Sequence, residues 1–220
     1  MAKLHEVHQS RQRIHVMEKM NGCAIYGADL HLPHMLYAKG VVTGCPYGEI
    51  RAIHTEEALN IPGVRGVYTA EDIPGHNGFG AFCKDEPILA ERYVKFAGDV
   101  VAVVVADSPV LAEQGAKAVR VELTPLKPVL TVEEALSGEI VINPAYPDNL
   151  CASQHLIKGD AAAALAQAEV VVEETYETAW VEHAYLEPEA VVVLPLEGGG
   201  RAMRGSTQNP FFNRNVICEA

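Results

Sequence analysis

Residues 178–188 read T-A-W-V-E-H-A-Y-L-E-P and gather Trp180, Glu182, His183, Tyr185 and Glu187 into one short stretch. A carboxylate beside an imidazole is the usual apparatus for moving a proton, so Glu182 with His183, or His183 with Glu187, is a candidate acid/base pair. Adjacent residues on a strand point to opposite faces, which counts against Glu182 with His183. Clustered aromatic and titratable groups are also what lines a ligand pocket. The plainer alternative is an edge strand with one alternating face. Elsewhere the chemistry is thin. His31 and His34 flank Pro33, but an extended segment gives them no shared face and no third ligand stands nearby in sequence, so turn histidines are the simpler reading. His5, His8 and His15 lie in the polar N-terminal stretch. No G-x-S-x-G, P-loop or G-x-G-x-x-G occurs, and Gly198–Gly200 reads as a hairpin turn.

The totals narrow the function classes. A net charge of −12 repels phosphate backbones and anionic lipid surfaces, arguing against nucleic-acid and membrane partners. The longest apolar run, residues 100–106, is far short of the ~20 residues a membrane span needs. The first twenty residues lack the apolar core of a secretory signal. Five widely spaced cysteines form neither a disulfide framework nor a C-x-x-C site, which suits a reducing cytoplasm. Cys218 reads as a packed thiol. With 49% hydrophobic residues, the chain has the composition of a folded core.

The elements that position these groups follow from patterning. Strands are expected over 35–42, 50–54, 64–69, 99–106 and 119–123, with Thr55 capping a short helix that Pro62 stops. The run 99–106 is continuously apolar, as a strand covered on both faces should be. Ser108-Pro109 is a helix start, and Gly115, Ala116 and Ala118 let that helix approach a sheet closely. Residues 70–90 are rich in Gly and Pro and read as a long loop of the kind that serves interfaces. Beyond a Pro-rich linker with a helix at 132–136, Asp160 caps an Ala-rich helix to Gln167. Strands are expected at 170–180, 190–194 and 201–205, then a helix at 211–220 capped by Asn209-Pro210. That last helix has no Gly, Pro or polar stop after it, so the second domain is expected to be truncated.

Three strings carry a resemblance: D-L-H-L-P-H-M-L-Y-A-K at 29–39, P-G-V at 62–64 and T-A-E-D-I-P-G at 69–75. In this order and spacing they resemble the opening of the molybdenum-bearing large chain of the xanthine dehydrogenase/aldehyde oxidase family. The likeness continues through Asp85, Pro87 and Val101–Val104 to His183…Leu186-Glu187-Pro188 and Ser206-Thr-Gln-Asn-Pro210. It implies an α+β chain: an arm at 1–20, an α/β hammerhead domain at 21–129, a linker at 130–150 and the truncated start of an α+β molybdopterin-binding domain at 151–220.

The resemblance further implies a molybdenum hydroxylase acting on a purine-like N-heterocycle or an aldehyde, with water as the oxygen source. It places Val181, Glu182, His183, Glu187 and Gln208 near the molybdenum, with no catalytic residue in this stretch, because the family's base glutamate and its G-G-F-G-G segment belong beyond Ala220. A glutamine that contacts the molybdenum ligands often stands where this chain has Val181, so that contact is missing or supplied elsewhere. The implied cofactor is a molybdopterin-type molybdenum centre in the full-length protein, with iron–sulfur clusters and FAD on partner domains or subunits and none held tightly by this chain alone. The implied partners are the rest of the large subunit, iron–sulfur and FAD subunits and a small-molecule substrate, in an oligomer. The rival reading is a hammerhead domain kept as a non-catalytic binding or assembly module.

Overall fold

The computed structural model describes residues 9–80, 83–185, 187 and 189–220. Leu186 and Pro188 of the chemistry-bearing string lie outside the described residues. The chain divides into two compact units: residues up to Met35 with His183–Cys218, and Leu36–Glu182 with Glu219–Ala220.

The arm expected at 1–20 contains a short helix, α1 (Val16–Met20). Its start is tied locally, with His15 Nδ1 3.1 Å from Glu18 Oε2.

The Leu36–Glu182 unit is built around six strands and a helix. β1 (Tyr37–Val42), β2 (Gly48–His54), α2 (Glu56–Leu59), β3 (Val64–Thr69), β4 (Tyr93–Val94), β5 (Val100–Ala106), α3 (Pro109–Ala118) and β6 (Arg120–Pro125) follow in order. They form two antiparallel sheets, β1-β5-β3 and β4-β2-β6. β5 is central in its sheet. Its continuous Val/Ala run is explained by burial on both faces, with Val101, Ala102, Val104 and Ala106 all fully buried. Val41 from β1, Val94 from β4, Ala58 from α2, Ala90 and Val119 form one cluster with Val101, Ala102 and Val104. Each fully buried valine contributes on the order of 1.5–3 kcal/mol of transfer free energy.

Two glycines let α3 and the β3 entry meet this sheet. Gly63 has φ +94°, a conformation side chains resist, and its carbonyl accepts the Asp107 N–H at 2.9 Å. That is the role of the P-G-V string: the turn at Gly63 launches β3 beside the end of β5. Gly115 sits in the α3 interior, where an added Cβ would stand 2.7 Å from Val104 Cγ1 and 3.1 Å from Val64 Cγ2. The missing side chain is what allows the helix to lie on the sheet. The Ser108 hydroxyl accepts the Leu111 N–H at 3.2 Å, as the Ser-Pro pattern predicts.

Arg65 at the start of β3 grips Asp107 with two hydrogen bonds of 2.7 Å, Nε to Oδ1 and Nη2 to Oδ2. The guanidinium hydrogen bond holds the Asp107 carboxyl below its ordinary value. A depressed carboxylate contributes stability that is present above its unfolded pKa of about 3.9 and is lost as pH falls through the lower folded value. We expect Arg65→Met to flatten the acid limb of a melting-temperature-versus-pH curve below about pH 4 and to leave the neutral region nearly unchanged, because the pair is exposed. An unchanged acid limb would contradict this assignment.

After β6 the chain becomes irregular but not loose. α4 (Val132–Ser137) is capped by Thr131 and ends at Gly138, φ +69°. Asn149 then pins the linker: its Oδ1 accepts from Ile142 N–H at 3.1 Å and its Nδ2 donates to the Ala135 and Ile140 carbonyls at 3.0 and 2.7 Å. α5 (Ala161–Gln167) is capped by Asp160, whose Oδ1 accepts the Ala163 N–H at 2.9 Å.

The strand expected at 170–180 is absent. This segment has no regular secondary structure and joins no ladder among the described residues, and its side chains face solvent. The expectation followed from β-branched and aromatic composition, but a strand also needs an edge to pair with.

The other unit contains the hairpin β7 (Val191–Pro195) and β8 (Arg201–Gly205), turned by Gly198–Gly200, and the helix α6 (Pro210–Glu219). The Asn209 Oδ1 accepts the Phe212 N–H at 3.1 Å and so caps α6. Cys218 is exposed on α6, so the expectation of a packed thiol is corrected; the helix presents no buried residue. Among the described residues no helix is long and apolar enough to cross a membrane.

Candidate functional site

The hairpin unit brings two of the sequence-predicted residues to one neighbourhood. β8 ends at Gly205, and the next residue, Ser206, donates its hydroxyl to the Glu187 carboxylate. The following Thr207 Oγ1 accepts from Asn213 Nδ2 at 2.6 Å and from Asn209 N–H at 3.3 Å. These bonds hold the S-T-Q-N-P string as a rigid entry to α6. Gln208 lies within it and lines a hollow of about 320 Å³ with Glu189, Ala190, Val191, Ser206, Thr207 and Asn213. Glu187 and Gln208 are thus linked through Ser206, a residue that sequence reasoning quoted in its string but did not single out. The signal was available: a Ser preceding an Asn-Pro helix start is free to bond backwards in the chain.

The remaining candidates are placed differently. The His183 ring stacks on Tyr185, with centroids 5.5 Å apart and planes inclined by 7°. Between them Ala184 has φ +49°, so the backbone here is no regular strand, and the opposite-faces argument against Glu182 with His183 loses its basis. No hydrogen bond joins His183 to Glu187 among the described residues, so that acid/base pair is not formed. Val181 is 81% exposed and Trp180 fully exposed; both belong to the segment 170–181 and neither walls a pocket.

The donor set has a definite chemical character. The Ser206 hydroxyl proton is already given to Glu187 and one Asn213 amide proton to Thr207, which leaves the Gln208 amide and the second Asn213 amide proton as donors along the hollow; no group of three or more His, Cys, Asp or Glu among the described residues is arranged to hold a bare metal ion. The polar groups left free in this hollow are of the kind that hydrogen-bond an organic ligand.

A larger hollow, about 770 Å³, lies in the Leu36–Glu182 unit, lined among others by Tyr47, Phe96, Leu130, Tyr146 and Cys151. A hydrogen bond with Cys83, followed by desolvation, pushes the Tyr146 hydroxyl up to about 12, so it stays protonated near neutral pH. Its lining comes from several separated loops, which is why no contiguous motif announced it.

Comparison with known proteins gives consistent matches. The family model described as "Aldehyde oxidase and xanthine dehydrogenase, a/b hammerhead domain" matches residues 21–127, and "Molybdopterin cofactor-binding domain" matches residues 142–220. The chain is 35% identical over 212 residues to the nicotinate dehydrogenase large molybdopterin subunit of Eubacterium barkeri, covering 96% of this chain and 49% of that protein. Among solved structures, the aldehyde oxidoreductase from Desulfovibrio gigas superposes with a TM-score of 0.80 at 30% identity, over 87% of this chain and 22% of that one. The quinoline 2-oxidoreductase from Pseudomonas putida 86 superposes with a TM-score of 0.79 at 25% identity, over 95% of this chain and 28% of that one. The chain spans about half the length of the first of these relatives and roughly a quarter of the others.

Proposed function

Because this chain belongs to the xanthine dehydrogenase/aldehyde oxidase family and comprises its α/β hammerhead domain and the start of its molybdopterin-binding domain, we propose that it is the N-terminal part of a molybdenum hydroxylase large subunit. The substrate is a nitrogen heterocycle and the oxygen source is water. The observation that carries this reading is the ordered pair of matches, hammerhead at 21–127 and cofactor-binding at 142–220, on one chain. The domain division at 1–20, 21–129, 130–150 and 151–220 belongs to the same proposal.

The site fits one wall of such a cofactor. Gln208, Ser206 and Asn213 would hold its polar edge through amide and hydroxyl groups, and Glu187 would fix Ser206 in place. When bound, the molybdenum centre supplies the oxygen nucleophile and takes up the electrons; the protein orients the substrate and excludes side reactions. Val181 carries no amide, so this chain offers the cofactor no hydrogen bond at that position. Iron–sulfur and FAD subunits would carry the electrons away, and the assembly would be an oligomer in the cytoplasm. The 220 residues alone would not turn over substrate.

The heterocycle is preferred because nicotinate and quinoline, which two of the matched proteins are named for, are both N-heteroaromatic; the aldehyde oxidoreductase match supports an aldehyde as the second reading. The assembled enzyme purified from its source should contain molybdenum and pterin. Its kcat/KM for nicotinate or quinoline should exceed that for an aromatic aldehyde. The opposite order would move the assignment to aldehydes, and a subunit without molybdenum would end it.

A further inference from the structure

Segment 170–181 has no regular secondary structure and exposes a run of apolar side chains. Val170, Val172, Tyr176 and Trp180 are 78%, 79%, 88% and 103% exposed, and with Glu174 and Thr178 they alternate along one face. The other face carries Val171, Glu173, Thr175, Glu177, Ala179 and Val181. Period-two patterning with β-branched and aromatic residues is the signature of a strand with one buried side. Yet no backbone group of 170–181 joins a ladder among the described residues. A soluble chain does not leave such a segment bare without an occupant, because it templates aggregation.

The charges say which occupant. In parallel in-register pairing with a second copy, Glu173, Glu174 and Glu177 would each face themselves. Antiparallel pairing centred on Thr175 would set Glu173 against Glu177. Like charges directly opposite are destabilising, so self-pairing is disfavoured. The matched large subunit is about twice as long as the part this chain spans, which leaves ample polypeptide to supply a strand. We infer that residues 170–181 are a docking strand completed by β-augmentation from the remaining polypeptide of the large subunit. The partner is an extended segment with apolar residues over the Val170–Trp180 face and Lys or Arg opposite Glu173 and Glu177. This rests on the reading of the chain as part of a larger subunit.

Trp180 is the sole tryptophan of the 220 residues, so in this chain expressed alone its fluorescence reports the segment directly. Hydrogen exchange should be compared between the 220-residue chain expressed alone and the native protein purified from its source, with molybdenum measured on the same native sample. In the isolated chain, amides of 170–181 should exchange without protection and Trp180 emission should be that of exposed indole. In the native protein the same amides should be protected. Thr175→Pro should leave melting of the isolated chain unchanged while abolishing that protection in the native subunit. Equal lack of protection in both samples would overturn the inference. So would protection in the isolated chain that grows with concentration, since a second copy would then be the occupant. Molybdenum present without protection fails the inference alone; protection without molybdenum fails the enzymatic reading alone.

Discussion

Replacing Gly115 by leucine is expected to cost the Leu36–Glu182 unit about 3 kcal/mol, a large share of the ~5–15 kcal/mol that holds an ordinary domain folded. Even the first atom of the new side chain would stand 2.7 Å from Val104 Cγ1 and 3.1 Å from Val64 Cγ2. Val104 is fully buried on the central strand and cannot turn away into solvent. The helix would have to lift off the sheet, uncovering β5. Gly115→Ala separates the two terms involved: it gains about 1 kcal/mol of helix propensity and loses on the order of 1–3 kcal/mol to overpacking. Val104→Ala alone removes two methyl groups from the core and costs about 2 kcal/mol. In the double variant the alanine methyl at 115 enters the space vacated at 104, so the combined loss should be less than the sum by at least about 0.5 kcal/mol. Denaturant unfolding of the four proteins measures this. Strict additivity would show that the two side chains do not share space.

The second large effect concerns the bond between Ser206 and Glu187. Ser206→Ala in the assembled enzyme should lower molybdenum per large subunit about tenfold, the scale on which residues supporting a bound centre usually act. Among the described residues the hydroxyl links Glu187 of the L-E-P string to the S-T-Q-N-P string. Losing it frees the segment that carries Gln208. Glu187→Gln should be milder, because an amide oxygen still accepts the bond but without the charge that roughly doubles its strength. Ser206→Thr should restore occupancy. All three should melt like the parent, since both residues are exposed and contribute little to the fold. Normal molybdenum content in Ser206→Ala would remove this bond from the account.

How far the sequence was legible depends on whether a feature is encoded locally. The β5 run, the Ser108-Pro109 helix start, the Asp160 and Asn209 caps and the Gly63 turn were all readable, because each is specified within a few residues. The Asn149 clasp was not, since its three hydrogen bonds gain meaning only once the linker has folded back. The segment 170–180 was read as a strand on composition that is sound; pairing is a property of two segments, and only one is described. The site divides the same way. Glu187 and Gln208 are drawn to one neighbourhood by Ser206. His183 was weighed as an acid/base group; its ring stacks on Tyr185, a contact of ring faces that no local sequence pattern encodes.

The most direct test of the account is the origin of the oxygen in the product. The assembled enzyme, supplied with an N-heterocycle and an artificial electron acceptor, should be run in isotope-labelled water under unlabelled dioxygen, and in the reverse labelling. The account predicts that the new hydroxyl takes its oxygen from water. A hydroxyl labelled from dioxygen would contradict it.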